Sequence, residues 1–452
     1  MLSHFAAEYG TASRLKAQWR YWQTIRVSGA YTLCFESSCV ITMPLQLSNK
    51  PDIHLAQEWI AQLHIWINHH GLTGYDPFDI KAHPLLLRLQ RYPFARRTSS
   101  LLCDMYPQLS RRLLGIAPTL NAEAPALVGL GHLRLYQVAG DQTHLDNGLA
   151  CLRQLDELAL PGYEGVCWGY PFAMRGVGYD IPANTPVAEV CAIAGQAFLL
   201  AHEITGDAAH LDTARRIAMF MLDSLPRVGL KSDKATDFPA WCFGCAAADT
   251  RRIHDSNLLV VAHVMRTAVR IGRETWIQAV EPALRFSLDQ QRENGSWSYG
   301  AYAPGDPHEP KPLRQVDHHH TGTVLRALRD IHEASPRADV EKAIKKGVGF
   351  YRKLIRPDGR PVAGRGPWPV DIRACAEGVI CPVALDTMMP GGKGMALLVM
   401  RWAHRRLRDD ATGAPWARRH PFFVSSIPYP RWGVAWMYYA LAEYLYRRRE
   451  EI

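Results

Sequence analysis

The chain has 452 residues, of which 48% are hydrophobic and 21% charged, and its formal net charge is +9. This composition is typical of a globular protein and excludes a disordered chain. Ten cysteines in so long a chain do not form a disulfide scaffold. The chain has neither a membrane-spanning apolar stretch nor a charged-then-apolar leader, so we predict a cytoplasmic protein.

The N-terminal part of the chain matches no repeat. We predict an N-terminal arm over residues 1–50, with β-branched and aromatic residues that suit a short strand, and one domain over residues 51–452. From Asp52 onward apolar residues recur at helical spacing, beginning with Ala56, Trp59 and Ile60. Further helical stretches are predicted near residues 85–89 and 99–114.

Two similar words, AGDQTHLD and TGDAAHLD, begin at Ala139 and Thr205 and indicate a repeat of helical hairpins. Nearly all-apolar inner helices are predicted to begin near Glu123, Pro186, Asn257, His319, Ile372 and Arg431. Outer helices with one charged face are predicted at Thr143–Leu158, Ala208–Leu225, Thr275–Gln290, Ala338–Leu354 and Gly394–Leu407, with the Asp52 helix as the sixth. This alternation predicts an all-α fold, an (α/α)6 toroid with a short irregular N-terminal segment.

The loops that enter the inner helices contain most of the Gly, Pro and aromatic residues. Because all of them precede inner helices, they are expected to meet at one end of the toroid and to form one cleft. The helix N-termini at that end present free N–H groups and partial positive charge, which favours an anionic ligand.

The motif DHHHTG, from Asp317 to Gly322, opens the fourth inner helix. Successive side chains on a helix are about 100° apart, so His318, His319 and His320 cannot together bind one zinc ion. We expect Asp317 to cap the helix and one histidine to act as an acid or base. The alternative is that all of these residues are structural.

Three further helix starts contain candidate residues. In IHDSN, His254 or Asp255 is expected to cap the third inner helix, while Asn257 faces the axis. In VDIRACAEG, Asp371 is the expected cap. There, Arg373 either pairs with Glu377 one turn later or binds a substrate carboxylate. In PRWGVAW, Arg431 and Trp432 combine a cation with a flat apolar surface.

Aromatic residues are frequent in the same loops, and aromatic rings suit the apolar faces of sugars. The candidates for substrate contact or proton transfer are Trp168, Tyr170, Tyr179, Trp297, Tyr299 and Trp368. Glu189 is a further polar candidate, and Asp317 with Asp371 is a carboxylate pair of the kind that glycoside hydrolysis needs.

Nucleotide, dinucleotide and nucleophile-elbow motifs do not occur in the sequence, and Cys242 with Cys245 is a single CxxC. We therefore predict no cofactor and no metal. No basic run is interleaved with aromatic residues, so a nucleic-acid partner is not expected.

Several words resemble a known family in their order along the chain: WGYPF, NTPVAEV, NGSWSYG, DHHHTG, PVDIRACAEG and PRWGVAWMYYAL. The chain resembles α/α-toroid proteins of bacterial exopolysaccharide gene clusters, the polysaccharide biosynthesis proteins of the VpsJ type. The resemblance implies a fold shared with polysaccharide lyases, unsaturated-uronyl hydrolases and sugar epimerases. It also implies a setting in polysaccharide assembly, where association with an assembly complex is expected.

The leading hypothesis is a carbohydrate-active enzyme that abstracts a proton from an acidic, uronate-bearing glycan, as a lyase or an epimerase does. Arg373, His254 and Asn257 would neutralise the carboxylate, and a histidine of the 318–320 run, Tyr179 or Tyr299 would move the proton. The alternatives are a glycoside hydrolase, a non-catalytic glycan-binding or scaffold protein, and an isoprenoid-handling toroid.

Overall fold

The computed structural model describes residues 23–27, 30–34, 41–43, 50–89, 92–176, 179–229, 240–303, 310–364 and 366–452. Of residues 23–43 only the strand backbones are described. The predicted arm over residues 1–50 thus lies largely outside the described residues, and its described part is three strands.

Helices dominate the described chain. In chain order they are α1 (Pro51–His70), α2 (Pro84–Leu89), α3 (Pro93–Met105), α4 (Pro107–Leu113), α5 (Glu123–Ala139), α6 (Gln142–Glu157), α7 (Ala188–Thr205), α8 (Ala208–Ser224), α9 (His254–Ile271), α10 (Glu274–Asp289), α11 (Pro310–Leu313), α12 (His318–Ala334), α13 (Ala338–Tyr351), α14 (Ile372–Ala384), α15 (Gly392–Arg406) and α16 (Trp436–Arg447). A π-helical segment, Pro430–Ala435, leads into α16. Three 3₁₀ turns lie at Asp79–Ala82, Arg352–Leu354 and Arg449–Glu451.

Six inner helices close a ring in the order α5, α7, α9, α12, α14 and α16, and α16 packs back against α5. Each inner helix also packs against an outer helix: α6, α8, α10, α13 and α15 follow their inner partners, and α1 packs on α16. This is the predicted (α/α)6 toroid. The predicted starts of the inner helices agree with the structure to within about one turn.

The repeated words mark the turn from an inner helix to its outer partner. Gly140 and Gly206 end α5 and α7 in the left-handed conformation, with φ of 68° and 70°. The next residue in each case, Asp141 or Asp207, caps the outer helix by accepting a backbone N–H two residues later. The similar words therefore encode one recurring helix–turn–helix connection.

Short antiparallel strands supplement the helices. β1 (Gln23–Val27), β2 (Ala30–Cys34) and β3 (Ile41–Met43) form a sheet, and β4 (Thr73–Gly74) pairs with β5 (Thr119–Leu120). β6 (Met174–Gly176) pairs with β7 (Tyr179–Ile181). β8 (Arg227–Gly229), β9 (Trp241–Ala246), β10 (Asp249–Ile253) and β11 (Gly300–Ala301) form a second sheet. β12 (Val370–Asp371), β13 (Arg418–Arg419) and β14 (Val424–Ser425) form a third. Apart from the first sheet, most of these strands lie in segments that enter inner helices.

One large apolar core fills the space within and between the two helix layers. It includes inner-helix residues that are buried on every side, as in α9, where Leu258, Val261 and Met265 are almost fully inaccessible. Within the part of the chain that the structure describes, no helix is long and apolar enough to cross a membrane.

Candidate active site

The first turns of all six inner helices meet at one end of the ring. Each contributes at least one polar side chain: Glu123 of α5, Glu189 of α7, Asp255 of α9, His319 and His320 of α12, Arg373 of α14, and Arg431 at the π-helical start of α16. Residues more than 300 positions apart in sequence thus come into contact. The predicted position of the cleft, at the entry loops of the inner helices, agrees with this convergence.

A carboxylate–imidazole–carboxylate chain lies between α9 and α12. His320 Nδ1 is 2.6 Å from Asp317 Oδ2, and His320 Nε2 is 3.9 Å from Asp255 Oδ2. Asp317 also caps α12, because its Oδ1 accepts the backbone N–H of His320. The His320 side chain keeps 31% of its surface exposed, so the ring is partly accessible to solvent.

The environment shifts the pKa values of these groups. Burial disfavours the charged form of His320, but Asp317 and Asp255 outweigh it and raise the pKa of His320 to about 9. Burial also raises the pKa of Asp255 to about 6, although the nearby His320 opposes this change. At neutral pH His320 is therefore charged, and Asp255 is mostly ionised but readily protonated.

His319 and Tyr299 flank His320. Their rings lie 4.8 and 4.2 Å from the His320 ring. Burial, together with the charges of Arg373 and His320, lowers the pKa of His319 well below its usual value, so this imidazole is neutral. Burial raises the pKa of Tyr299 well above its usual value, so Tyr299 keeps its proton.

Arg373 contributes a guanidinium to the cluster, and its side chain is only 3% exposed. Its Nη2 pairs with Glu189, and its Nη1 is 3.7 Å from Glu123. The guanidinium lies between Trp432 and Trp436, 4.7 and 4.3 Å from their ring centres. Arg373 Nε is buried and has no partner among the described residues. Burial opposes ionisation of Glu189, but Arg373 outweighs it and lowers the pKa of Glu189.

The expected ion pair between Arg373 and Glu377 is wrong. Glu377 is fully buried and forms a two-pronged pair with Arg326 of α12, at 2.7 and 2.9 Å. Glu377 therefore links the inner helices α12 and α14. Arg373 pairs with Glu189 instead.

Arg431 is placed differently from the prediction. Its side chain is only 2% exposed. It donates to Asp76 at 2.5 and 2.9 Å and to Glu123 at 2.8 Å. The whole guanidinium fork is therefore used internally, and Arg431 is not free to bind a substrate.

Asp371 and Trp432 line the side of the site formed by α14. Asp371 caps α14 as predicted, by accepting the N–H of Arg373, and it also accepts the Trp432 indole N–H at 2.6 Å. Its second oxygen accepts from Arg418 at 2.8 Å. Asp371 and Asp317 are thus both engaged in capping and charged hydrogen bonds, which does not favour the expected hydrolytic pair.

Three predicted site residues face the outer helices instead of the cleft. His254 Nδ1 lies 3.1 Å from the Ser287 hydroxyl of α10, and Asn257 donates to Ser287 and to the Ala283 carbonyl. His318 is fully buried against the Tyr351 ring of α13. Burial lowers the pKa of His254 to about 4 and that of His318 to about 3, so both are neutral core residues.

The aromatic candidates divide in the same way. Trp168 and Trp297 are buried, and their indole N–H groups donate to backbone carbonyls of Leu155 and Ser287 on outer helices. Both are therefore core residues, contrary to the prediction. Tyr170 is buried under Arg431, with its hydroxyl 3.4 Å from Glu123.

Two aromatic candidates remain half-buried in the entry loops. The Arg251 guanidinium lies 4.0 Å from the centre of the Tyr179 ring, and the Arg360 guanidinium lies 4.7 Å from the centre of the Trp368 ring. Tyr179 and Trp368 are not in the Asp255–His320 cluster.

The two cysteines of the CxxC motif have different neighbours. Cys245 lies 2.9 Å from Asp249, and Cys242 belongs to a separate apolar cluster.

The sequence interpretation missed Asp255, which it treated as a helix cap. Neither His254 nor Asp255 caps α9. Ile253 is the N-cap position, and the Asp255 carboxylate accepts the adjacent Ser256 N–H at 2.7 Å and the Ser256 hydroxyl at 3.5 Å. An Asp in the second position of a nearly apolar helix is a signal that could have marked it as an inward-facing acid.

Comparison with known proteins identifies the fold. No family model matches the chain, and no curated protein matches it in sequence. A sugar epimerase from a ruminal bacterium is similar in structure, with a TM-score of 0.53, 12% identity, and coverage of 74% of this chain and 90% of that one. An unsaturated glucuronyl hydrolase specific for heparin has a TM-score of 0.55, 12% identity, and coverage of 89% and 98%. A polysaccharide lyase has a TM-score of 0.53, 10% identity, and coverage of 86% and 97%. The chain shares the α/α-toroid fold of these three enzymes.

Proposed function

We propose that the protein is a carbohydrate-active enzyme that moves a proton at a carbon next to a carboxyl or carbonyl group, as a lyase or an epimerase does. The observation that carries the proposal is the 3.9 Å approach of His320 Nε2 to Asp255 Oδ2. This approach brings together Asp255, a base whose pKa of about 6 is near neutrality, and His320, an acid that is charged at neutral pH. Neighbouring groups with separated pKa values are what acid and base roles require.

In this mechanism the Asp255 carboxylate takes the proton from carbon, and the electron pair of that C–H bond moves into an enolate. His320 stabilises the new negative charge on oxygen. In an elimination the enolate electrons expel the neighbouring glycosidic oxygen, and His320 donates its Nε2 proton to that oxygen. In an epimerisation the enolate takes a solvent-derived proton on the opposite face of the carbon, and Asp255 releases the proton that it took to solvent. Asp317 keeps His320 charged and fixes the orientation of its ring.

The proposed substrate is an acidic, uronate-bearing glycan. Arg373 supports this assignment, because no described residue bonds to its Nε, and a substrate carboxylate would share the guanidinium with Glu189. Trp432 is half-buried against Arg373 and offers a flat apolar surface for a sugar ring. The toroid fold, which lyases and epimerases also adopt, is consistent with this chemistry.

The proposed setting is polysaccharide biosynthesis or modification. The motif words that resemble exopolysaccharide-cluster proteins support this setting, and they include both DHHHTG and PVDIRACAEG. An assembly complex of that pathway is the corresponding proposed partner.

The test is incubation of the protein with uronate-bearing oligosaccharides in D₂O. Elimination gives an unsaturated product that absorbs in the ultraviolet, and epimerisation gives deuterium on carbon without such absorption. Asp255→Asn and His320→Gln should each lower turnover by about 10²–10⁴-fold. His69→Gln, on an exposed position of α1, should leave turnover unchanged. Absence of both signals on acidic and on neutral glycans would refute the proposal. Release of reducing ends would then indicate a hydrolase, and no turnover of any kind would indicate a binding or scaffold role.

A second candidate is a glycoside hydrolase that uses Asp255 as the acid and Glu189 as the ionised carboxylate. The opposite pKa shifts of these two groups, raised for Asp255 and lowered for Glu189, favour it. Hydrolysis would release reducing ends without ultraviolet absorption and without deuterium on carbon, and it would depend on Glu189 as strongly as on Asp255.

A further inference from the structure

Exposed apolar side chains are concentrated in one part of the molecule. Of thirteen large hydrophobic residues that are exposed among the described residues, nine lie between Leu85 and Leu113, in or beside α2, α3 and α4. The extremes are Phe94, which is 82% exposed, and Leu113, which is 77% exposed. Contiguous exposure of this kind marks an interaction surface, whereas isolated apolar residues do not.

The same surface extends onto the β13–β14 turn. Strand β14 contacts α3, and Phe422 at the tip of the turn is 97% exposed. Asp104 of α3 holds the two parts together, because it lies 3.4 Å from Arg418 and 3.2 Å from His420. We call α2, α3, α4 and Phe422 together the apolar face.

The charge on the apolar face has one sign. Arg88, Arg96, Arg97 and Arg112 are exposed on its helices. Asp104 is the only acidic residue in the sequences of α2, α3 and α4, and it is neutralised by Arg418 and His420. Exposed arginines are thus interspersed with exposed Phe, Tyr and Leu, with no exposed carboxylate on these helices.

We propose that the apolar face docks on an anionic lipid surface. Aromatic and leucine side chains that project beside arginines fit the boundary between headgroups and acyl chains. Arginine can extend its charged end to the phosphates while its stem remains among apolar groups. Charge complementarity favours a lipid surface over a second copy of the chain. The exposed arginines attract anionic headgroups, but they would repel one another across an interface between two copies.

The apolar face borders the end of the toroid that contains the candidate active site. Arg418 links the two, since it pairs with Asp104 of α3 and donates to Asp371, which caps α14 next to Arg373. Docking would therefore bring the entry loops of the inner helices close to the lipid surface. The docking proposal itself rests on exposure and charge and does not depend on the proposed catalytic function.

The test is flotation of the full chain with lipid vesicles at low salt. Binding is expected to vesicles of phosphatidylcholine mixed with phosphatidylglycerol, to be weak with phosphatidylcholine alone, and to fall as salt rises. The double variant Phe94→Ser/Leu113→Ser should weaken binding about tenfold or more, because it removes apolar area that docking on the vesicle would bury. Arg96→Ala/Arg97→Ala should weaken binding to the anionic vesicles selectively.

The matched control is Val269→Ser/Leu398→Ser, which removes two exposed apolar side chains outside the apolar face and should bind like the parent. All of these positions are exposed, so each variant should fold, which circular dichroism verifies. The proposal is overturned if the parent does not bind anionic vesicles at low salt or if the Phe94/Leu113 variant binds equally well. It is also overturned if light scattering shows a parent dimer that the Phe94/Leu113 substitutions convert to a monomer without vesicle binding.

Discussion

His320 and Asp317 are bonded twice, once through their side chains at 2.6 Å and once from the His320 backbone N–H to the Asp317 carboxylate at 2.9 Å. One carboxylate therefore both caps helix α12 and raises the pKa of the imidazole that follows. The position of His320 is fixed by the start of its own helix, which is a rigid way to hold an acid at the edge of a cleft.

Asp317→Asn should separate these two roles. Asn is as good an N-cap as Asp, so the helix should persist, but the neutral amide no longer favours the charged imidazole. The pKa of His320 should fall from about 9 toward the usual value near 6.5. Titration of the His320 ring resonances by NMR measures this shift directly.

The same substitution has a signed effect on stability. Because the folded pKa of His320 is raised, its contribution is fully present below about pH 6.5 and is lost as the pH rises through about 9. Asp317→Asn should therefore reduce the free energy of unfolding at pH 6 and leave it nearly unchanged at pH 10. An equal loss at both pH values would indicate that Asn caps α12 less well than Asp and that the charge of His320 plays no part.

Turnover should follow a bell-shaped pH profile with limbs near 6 and 9. Asp255 must be ionised to act as a base, and His320 must be protonated to act as an acid. A substitution of Asp255 by Glu, which retains a carboxyl group, should keep the acidic limb while lowering the rate. The profile of kcat/KM reports these groups in the free enzyme. Activity that kept rising to pH 10 would contradict the role of His320.

A cluster of three buried histidines predicts loss of stability in mild acid. His64 of α1, His132 of α5 and His144 of α6 lie together beside Tyr438 of α16, and the His132 and His144 Nδ1 atoms are 3.0 Å apart. Burial lowers the pKa of all three, in the case of His64 to about 4. At His144, the charge of Asp141 opposes this lowering of the pKa.

Since the unfolded chain binds these protons and the folded chain does not, stability is complete above about pH 6.5 and falls as the pH approaches 4. His64 alone corresponds to about 3 kcal/mol at the acid end. Urea unfolding at pH 7.5 and pH 5 should show the decline, and His64→Gln should reduce it. His69→Gln, at an exposed position of the same helix, should leave the decline as in the parent.

Arg431→Met should destabilise the fold strongly. It leaves Asp76 and Glu123 without their shared partner in a site where the Arg431 side chain is only 2% exposed. Loss of one member of a buried ion pair costs about 3–5 kcal/mol. Arg215→Met breaks an exposed pair with Asp212 and should cost less than about 1 kcal/mol. Urea unfolding of both variants gives the comparison, and equal losses would show that Arg431 has no special structural role.

The toroid could be predicted from the sequence because its determinants are local. Apolar periodicity, the Gly–Asp connection at Gly140 and Gly206, and the caps Asp317 and Asp371 each act within a few residues. The same patterns predicted that the entry loops of the inner helices meet at one end, since consecutive parallel inner helices begin at the same end.

The roles of individual residues could not be predicted, because they depend on rotation of each helix and on distant partners. Asn257 and Arg431 were expected to face a substrate. Asn257 is instead bonded to the outer helix α10 that follows it, and Arg431 to Asp76, which only the closed ring brings near. For Asp255 the error is the opposite one. Its local sequence resembles a helix cap, and only the approach of His320 from the next inner helix makes it a candidate acid or base.

The salt bridge from Arg431 to Asp76 spans 355 positions of the chain. Asp76 and Glu123 are synthesised long before Arg431. Both carboxylates therefore lack their cationic partner until the sixth inner helix has left the ribosome. The ring, and with it the environment of Arg373, is completed only by that final helix. A chain truncated before Arg431 should therefore lack the assembled candidate site, so that the proposed chemistry depends on this inner helix as much as on the residues of the site itself.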